Sequence, residues 1–236
     1  HAGARVLLCS ADLLARQPRA LETTATVVLS SDVAVDPRLT PVSRVGGDVA
    51  QIIYTSGSTG QPKGVTLTHA NLWAGPRSVT TYLGITAEDR LASLLPFSFD
   101  YGFNQLLCTV LTGATLLVER SPVPQQIVAS LRTFQATVLA GVPPLWLQLL
   151  ATEAFRTELP DLRVMTNSGG RLPVEAVRTL RRSHPSARLF LMYGLTEAFR
   201  STYLPPEEAD AHPDAIGQAI PGAEILVVRE DGTACD

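Results

Sequence analysis

The sequence predicts an α/β fold of layered lobes built on parallel sheets. Short aliphatic and β-branched runs alternate with helix-length segments along the whole chain, the pattern of strands covered by crossover helices. Hydrophobic residues make up 45% and charged residues 17% of the 236, which fits a folded globular body and excludes a disordered or collagen-like one. No internal repeat, heptad or low-complexity tract interrupts the alternation.

Taken in order, the apolar runs predict strands over residues 6–8, 26–29, 50–55, 65–68, 90–94, 115–118, 137–139, 163–166, 189–192 and 224–228. Thr68 is placed to cap a helix running on from Asn71-Leu72, and further helices are predicted over 101–111, 125–134, 145–151 and 174–183. The first of these contains Gly75-Pro76, where the missing N–H predicts a kink or a split. The polar, proline-rich stretch 205–213 reads as a connector, with a coarse boundary near Leu204.

Charge and cysteine content exclude several function classes. A net charge of −3 provides no basic field for nucleic acid, and Arg178, Arg181 and Arg182 fall at helical spacing, as on a solvated face. Cys9, Cys108 and Cys235 lie far apart, with neither zinc-ligand nor disulfide-framework spacing, and read as reduced thiols in the cytoplasm. No apolar run reaches the roughly 20 residues that cross a bilayer. His1-Ala2-Gly3 is neither an initiator methionine nor a signal peptide, and both ends read as cut.

The most informative segment is Tyr54-Thr55-Ser56-Gly57-Ser58-Thr59-Gly60-Gln61-Pro62-Lys63-Gly64, set between two predicted strands. Its glycines free backbone amides to turn inward on an anion, the hydroxyls of Thr55, Ser56, Ser58 and Thr59 add donors, and Lys63 supplies a mobile positive charge. The spacing is not that of the NTPase P-loop, which would place Gly rather than Pro62 before the lysine. The alternative is a flexible Ser/Gly linker, for which a position between two buried strands has no reason.

This segment, with its continuation Val65-Thr66-Leu67-Thr68-His69-Ala70-Asn71-Leu72, resembles the signature of the adenylate-forming superfamily. That superfamily comprises acyl-CoA synthetases, luciferases and nonribosomal adenylation domains. The resemblance implies that Thr55, Ser56, Gly57, Ser58, Thr59, Gly60 and Lys63 hold the β- and γ-phosphates of ATP.

Three further segments resemble the family's motifs in the family's order. Leu95-Pro96-Phe97-Ser98-Phe99-Asp100-Tyr101-Gly102 stands where relatives place an aromatic gate beside the acyl pocket. It lacks the His that acyl-CoA synthetases often carry there. Asp100 resembles the aspartate by which amino-acid-adenylating relatives hold the substrate ammonium; the alternative is a cap on the helix that follows. Asn167-Ser168-Gly169-Gly170-Arg171-Leu172-Pro173 corresponds to a loop that packs against adenine, and read alone is an ordinary βα turn. In Leu191-Met192-Tyr193-Gly194-Leu195-Thr196-Glu197-Ala198, Tyr193 and Gly194 would meet adenine, Thr196 the α-phosphate and Glu197 a Mg²⁺ ion. Read alone, Glu197 is a surface carboxylate. Gly141 and Val142 fit where relatives line the acyl pocket, with Phe99 and Ser168, while Trp146 reads equally well as core.

The resemblance implies a first lobe over residues 1–90, a second over 91–200, and the start of a small β-barrel over 201–236. It also implies that a beginning segment and the small C-terminal domain with its catalytic lysine lie outside the chain. The chain alone is therefore expected to be inert and to associate through exposed sheet edges. The implied reaction is attack of a carboxylate on the α-phosphorus of ATP, then transfer of the acyl group to the thiol of coenzyme A or of a carrier protein's phosphopantetheine arm. The missing gate histidine and the presence of Asp100 lean toward an amino-acid or carrier-linked ligase, with a fatty or other acyl-CoA synthetase as the alternative. His69, His184 and His212 are not needed as bases and read as surface or helix-end residues. A non-catalytic nucleotide-binding relative would lack Lys63, Thr196 or Glu197, and all three are present. A conventional phosphotransferase would need motifs that are absent.

Overall fold

The computed structural model describes residues 5–16, 26–29, 31, 38, 40, 42–55, 61–157 and 159–235, the strand at 26–29 as backbone only. Its contacts divide the chain into two units, His1–Val45 and Gly46–Asp236. In the first, β1 (Val6–Cys9) pairs in parallel with β2 (Thr26–Leu29). A six-residue helix, α1 (Ala11–Arg16), follows β1 and was too short for the periodicity to reveal.

The second unit opens with an antiparallel hairpin of β3 (Val49–Thr55) and β4 (Lys63–Thr68). Both strands are largely exposed, so the loop they carry does not lie between buried strands. Thr68 then caps α2 (His69–Leu83) through a complete capping box with Asn71. Pro76 lies inside α2, which continues through it as one helix rather than splitting. A side chain at Gly75 would place its Cβ 2.3 Å from the Phe199 ring, so this glycine makes room for a neighbour instead of ending the helix.

Beyond α2 the chain runs β5 (Arg90–Ser93), α3 (Asp100–Thr112), β6 (Thr115–Val118), α4 (Pro124–Phe134), β7 (Val138–Gly141), α5 (Pro143–Leu150) and α6 (Glu153–Thr157). It continues through β8 (Val164–Asn167), α7 (Val174–Ser183), β9 (Arg188–Tyr193), β10 (Thr202–Leu204) and β11 (Gln218–Ala219). These strands form one sheet in the order β11-β10-β9-β8-β7-β5-β6. The strands from β6 to β9 are parallel, while β10 and β11 add antiparallel pairs at one side. The α/β class with layered parallel strands is thus observed.

Alternation along the central strands sends side chains to both faces. Leu139, Met165, Leu189 and Leu191 join a core with Val128, Leu131, Trp146, Phe155 and Leu180 from α4–α7. Val138, Val164, Phe190 and Met192 join a second core with Val79, Leu83, Tyr101 and Cys108 from α2 and α3. Burial on both faces explains why these strands read as continuous apolar runs.

Three features depart from the sequence-based expectations. Residues 224–228 form no strand; a single bridge, Val228 to Ala234, is present, and no closed barrel is formed among the described residues. With Leu226 76% exposed, this segment lacks the packing that would hold it as sheet. The stretch 205–213 is not a free connector: Ala209 is fully buried and Arg181 binds Asp210 at 2.7 Å and the Pro206 carbonyl at 3.0 Å. His184, at the end of α7, is buried edge-on against Phe155 rather than on the surface.

Asp89 ties the edge of the sheet opposite the strands' C-terminal ends. It accepts from Arg163 Nε at 2.7 Å, Thr137 Oγ1 at 2.7 Å and the Thr86 amide at 2.9 Å. Burial pushes its carboxyl up, but these donors together hold it below the usual carboxylate range. Replacing Asp89 with Ala is expected to cost about 2–3 kcal/mol in urea unfolding, because buried donors lose their acceptor while the arginine stays partly solvated. Burial also depresses the His184 imidazole below its ordinary 6.5, outweighing the raising effect of a backbone hydrogen bond at Phe155. The unfolded chain then takes up a proton more readily than the folded one. Stability is therefore full above about pH 6.5 and declines below it, and His184→Gln is expected to flatten that decline in unfolding midpoints measured from about pH 7 to about 5.

Candidate nucleotide and acyl site

The sheet places its chemistry at one edge. From β5 the chain steps outward to β6, whereas β7, β8 and β9 step in the opposite direction, so the order reverses between β5 and β7. In open parallel sheets a crevice opens at such a reversal, outside the C-terminal ends of the strands. Phe99, Asp100, Gly141, Val142, Ser168, Gly169, Gly170, Arg171, Tyr193, Gly194, Thr196 and Glu197 all follow or end parallel strands at that edge.

Steric limits fix these loops. At Gly102 in α3 a Cβ would stand 2.3 Å from the Pro96 carbonyl oxygen, so only glycine lets the helix start beneath the loop after β5. At Gly141 it would stand 2.7 Å from the fully buried Trp146 ring, which identifies that tryptophan as core. A Cβ on Gly169 would meet Val142 at 3.3 Å and Phe99 at 3.5 Å, so two of the expected acyl-site positions meet the expected adenine loop across the reversal point. Ser168 is buried beside them, its amide donating to the Gly141 carbonyl at 3.3 Å.

A cavity of about 490 Å³ lies along the ends of β8 and β9, bordered by Asn167, Gly169–Arg171, Tyr193 and Gly194 on one side and by 213–216 on the other. Tyr193 is 43% exposed and offers a ring face, while Arg171 is held at the rim by Asp214 at 3.5 Å. Asn167 donates from Nδ2 to the Gly170 carbonyl at 3.0 Å, yet its buried Oδ1 has no partner among the described residues. In the sequence Asn167 is marked only as the first residue of the segment 167–173.

A second cavity, about 220 Å³, has Glu197 and Arg200 on one side and Leu67 and Asn71, at the base of the hairpin, on the other. Thr196 is half-buried and Glu197 exposed. Among the described residues no three His, Cys, Asp or Glu side chains cluster as metal ligands. Thr55 and Lys63 stand opposite each other in the β3–β4 register, at the mouth of the expected phosphate loop. Ser56, Gly57, Ser58, Thr59 and Gly60 lie outside the described residues.

Asp100 is the first residue of α3; Phe99 occupies the cap position, and no side chain caps the helix. The capping alternative for Asp100 is therefore not what forms. Its Oδ2 lies instead 3.6 Å from Nη1 of Arg200, with both side chains buried. Arg200 escaped the sequence reading, and its one visible signal is a charge directly following the apolar Ala198-Phe199.

The profile of the family described as "AMP-binding enzyme" matches residues 1–235. The chain belongs to the AMP-binding enzyme family. It is 34% identical over 185 residues to a delta-poly-L-ornithine synthetase of Acinetobacter baumannii (strain AB307-0294), covering 77% of this chain and 13% of that protein. With an L-proline–[L-prolyl-carrier protein] ligase of Streptomyces coelicolor (strain ATCC BAA-471 / A3(2) / M145) it shares 33% over 205 residues, 83% of this chain and 37% of the ligase. The crystal structure of VinN superposes with a TM-score of 0.84 at 31% identity, covering 98% of this chain and 60% of VinN. The chain thus spans well under half of these curated family members and about three-fifths of VinN. No helix among its described residues is long and apolar enough to cross a membrane.

Adding a methyl group at Gly141 tests how rigidly this edge is packed. Gly141→Ala is expected to lower stability by about 1–3 kcal/mol in urea unfolding, since the buried Trp146 ring has no space to retreat. An unchanged midpoint would mean that the loop after β7 is looser than the contact distances imply.

Proposed function

We propose that the intact protein carrying this chain activates a carboxylic acid with ATP and passes the acyl group to the phosphopantetheine thiol of a carrier protein. In the first step a carboxylate oxygen bonds to the α-phosphorus and pyrophosphate leaves. In the second the thiol sulfur, losing its proton, bonds to the acyl carbon and AMP leaves. The observation that carries the reading is the cavity at the ends of β8 and β9, bordered by Tyr193, Gly194 and the backbone of Gly169–Arg171.

Adenine would stack on Tyr193 and Gly194 and rest on the backbone of Ser168–Arg171. Lys63 and the loop from Thr55 to Gly60 would hold the β- and γ-phosphates, and Thr196 the α-phosphate. Mg²⁺ held by Glu197 would supply neutralising charge to the triphosphate. Phe99, Gly141 and Val142 would line the acyl pocket. The chain's own contribution is positioning and electrostatics, with no nucleophilic side chain required. The carrier-linked acceptor is supported by relatives that include L-prolyl- and D-alanyl-carrier protein ligases. Coenzyme A is the competing acceptor. We place the reaction in the cytoplasm, and we take the chain by itself to be inert and prone to associate through its sheet edges.

The test is ATP–pyrophosphate exchange by the intact protein across a panel of acids, followed by thioester formation with carrier protein or coenzyme A. Exchange is expected with one class of acid, and Lys63→Ala and Glu197→Gln are each expected to lower it by about 10²-fold or more. ATP binding without exchange would support a nucleotide-binding module instead. Thioester formation with coenzyme A alone would replace the acceptor.

A further inference from the structure

Residues 194–201 form a closed loop between β9 and β10, with Thr196 and Glu197 at its tip. Its base is shut by the Ser201 amide, which donates to the Tyr193 carbonyl at 2.9 Å. The tip turns through the Ala198 amide, which donates to the Leu195 carbonyl at 3.1 Å. The apolar side chains of this loop divide: Leu195 and Ala198 are exposed, whereas Phe199 is buried.

Two glycines make room for Phe199. A Cβ on Gly75, midway along α2, would stand 2.3 Å from its ring, and a Cβ on Gly194 2.5 Å from its carbonyl oxygen. The ring therefore reaches the helix and the carbonyl the turn after β9, approaches that a side chain at either glycine would block. Phe199 itself holds φ 59°, a left-handed conformation that a bulky residue keeps only when its surroundings enforce it. Glycine would hold that backbone without strain, so what phenylalanine adds at this position is the ring.

The helix it meets leads back to the expected phosphate loop. α2 follows β4, whose first residue is Lys63, through the capping box at Thr68. One turn beyond Gly75, on the same helix face, Ser78 Oγ donates to the Pro221 carbonyl at 3.2 Å. The neighbouring Ile220 amide donates to the Ser201 carbonyl at 3.1 Å. One face of α2 thus holds the loop through Phe199 and the segment paired with the loop's end through Ser78.

We infer that Phe199, seated on Gly75, is a positioning residue that couples the loop of Thr196 and Glu197 to α2 and so to the strand of Lys63. This rests on the adenylation reading, in which Thr196 and Lys63 meet different phosphates of one ATP. The helix between them sets their separation, and the ring passes that setting to the loop. Its ring is turned to the helix, so Phe199 acts through the loop.

The experiment compares Phe199→Gly, Phe199→Leu, Gly75→Ala and the double variant Gly75→Ala/Phe199→Leu in the intact protein. Three quantities are read: ATP–pyrophosphate exchange kinetics, ATP binding by calorimetry, and amide hydrogen exchange. Phe199→Gly keeps the left-handed backbone and removes the ring, whereas Gly75→Ala keeps the ring and fills its seat. Each is expected to lower kcat at least about tenfold while the Kd for ATP stays within about threefold, since adenine and the phosphate loop still hold the nucleotide. Amides of 195–201 are expected to exchange at least about tenfold faster in both variants, with those of β7 and β8 unchanged. Leucine at 199 leaves space for the added methyl, so the double variant is expected to regain most of the kcat lost by Gly75→Ala. Phe199→Gly introduces no clash and decides the matter if Gly75→Ala does not fold. A native kcat in folded Phe199→Gly, or loop amides that exchange at the native rate, would overturn the inference. So would strictly additive losses in the double variant. Absence of exchange by the native protein with every acid would sink the adenylation reading and the catalytic role with it, and the loop amides would then decide the anchor alone.

Discussion

Everything in the second unit depends on parallel strands that must be covered on both faces. Side chains of β7, β8 and β9 alternate between two cores, so helices have to cross from one strand to the next on either side. The crossovers leave every βα loop at the same edge, and the reversal between β5 and β7 opens a crevice there. A cavity of about 490 Å³ and the approach of the loops after β5, β7 and β8 to one another follow from topology. Their identities follow from a few glycines where no Cβ fits, Gly102, Gly141, Gly169 and Gly194 among them. At Gly194, for example, a Cβ would lie 2.5 Å from the Phe199 carbonyl oxygen, so the turn after β9 closes only around glycine.

Most of this framework was legible in the sequence because its signals were local. The capping box at Thr68 and Asn71, the apolar runs of β7 to β9 and the amphipathic spacing of α7 each depend on neighbours within a few residues. Features decided at long range were not legible. Pro76 looked like a helix breaker, but the helix continues where Gly75 packs against Phe199, more than a hundred residues later. Residues 224–228 had the composition of a strand but find no partner strand among the described residues, and composition alone does not make a sheet. The short β10 and β11 carried too little pattern to stand out, and owe their strand form to pairing beside β9.

The candidate site divides in the same way. Tyr193, Gly194 and the Ser168–Arg171 loop were singled out from motif order, and the structure brings Tyr193, Gly194 and Gly169–Arg171 to one cavity, with Ser168 buried behind it. Asn167 and Arg200 were not, because what marks them is an unsatisfied atom in a buried setting, which no sequence displays. Asp100 shows how one side chain's meaning depends on a distant partner. Alone it reads as an anionic anchor or a helix cap; beside Arg200 it is half of a neutral pair.

The measurement that bears most directly on the central claim is photo-crosslinking of the intact protein with 8-azido-ATP, followed by mapping of the labelled peptides. The account predicts label in 167–172 or 193–197, at the C-terminal ends of β8 and β9, and its displacement by unlabelled ATP. Displaceable label confined to the opposite edge of the sheet, in 84–89 or 159–163, would contradict it.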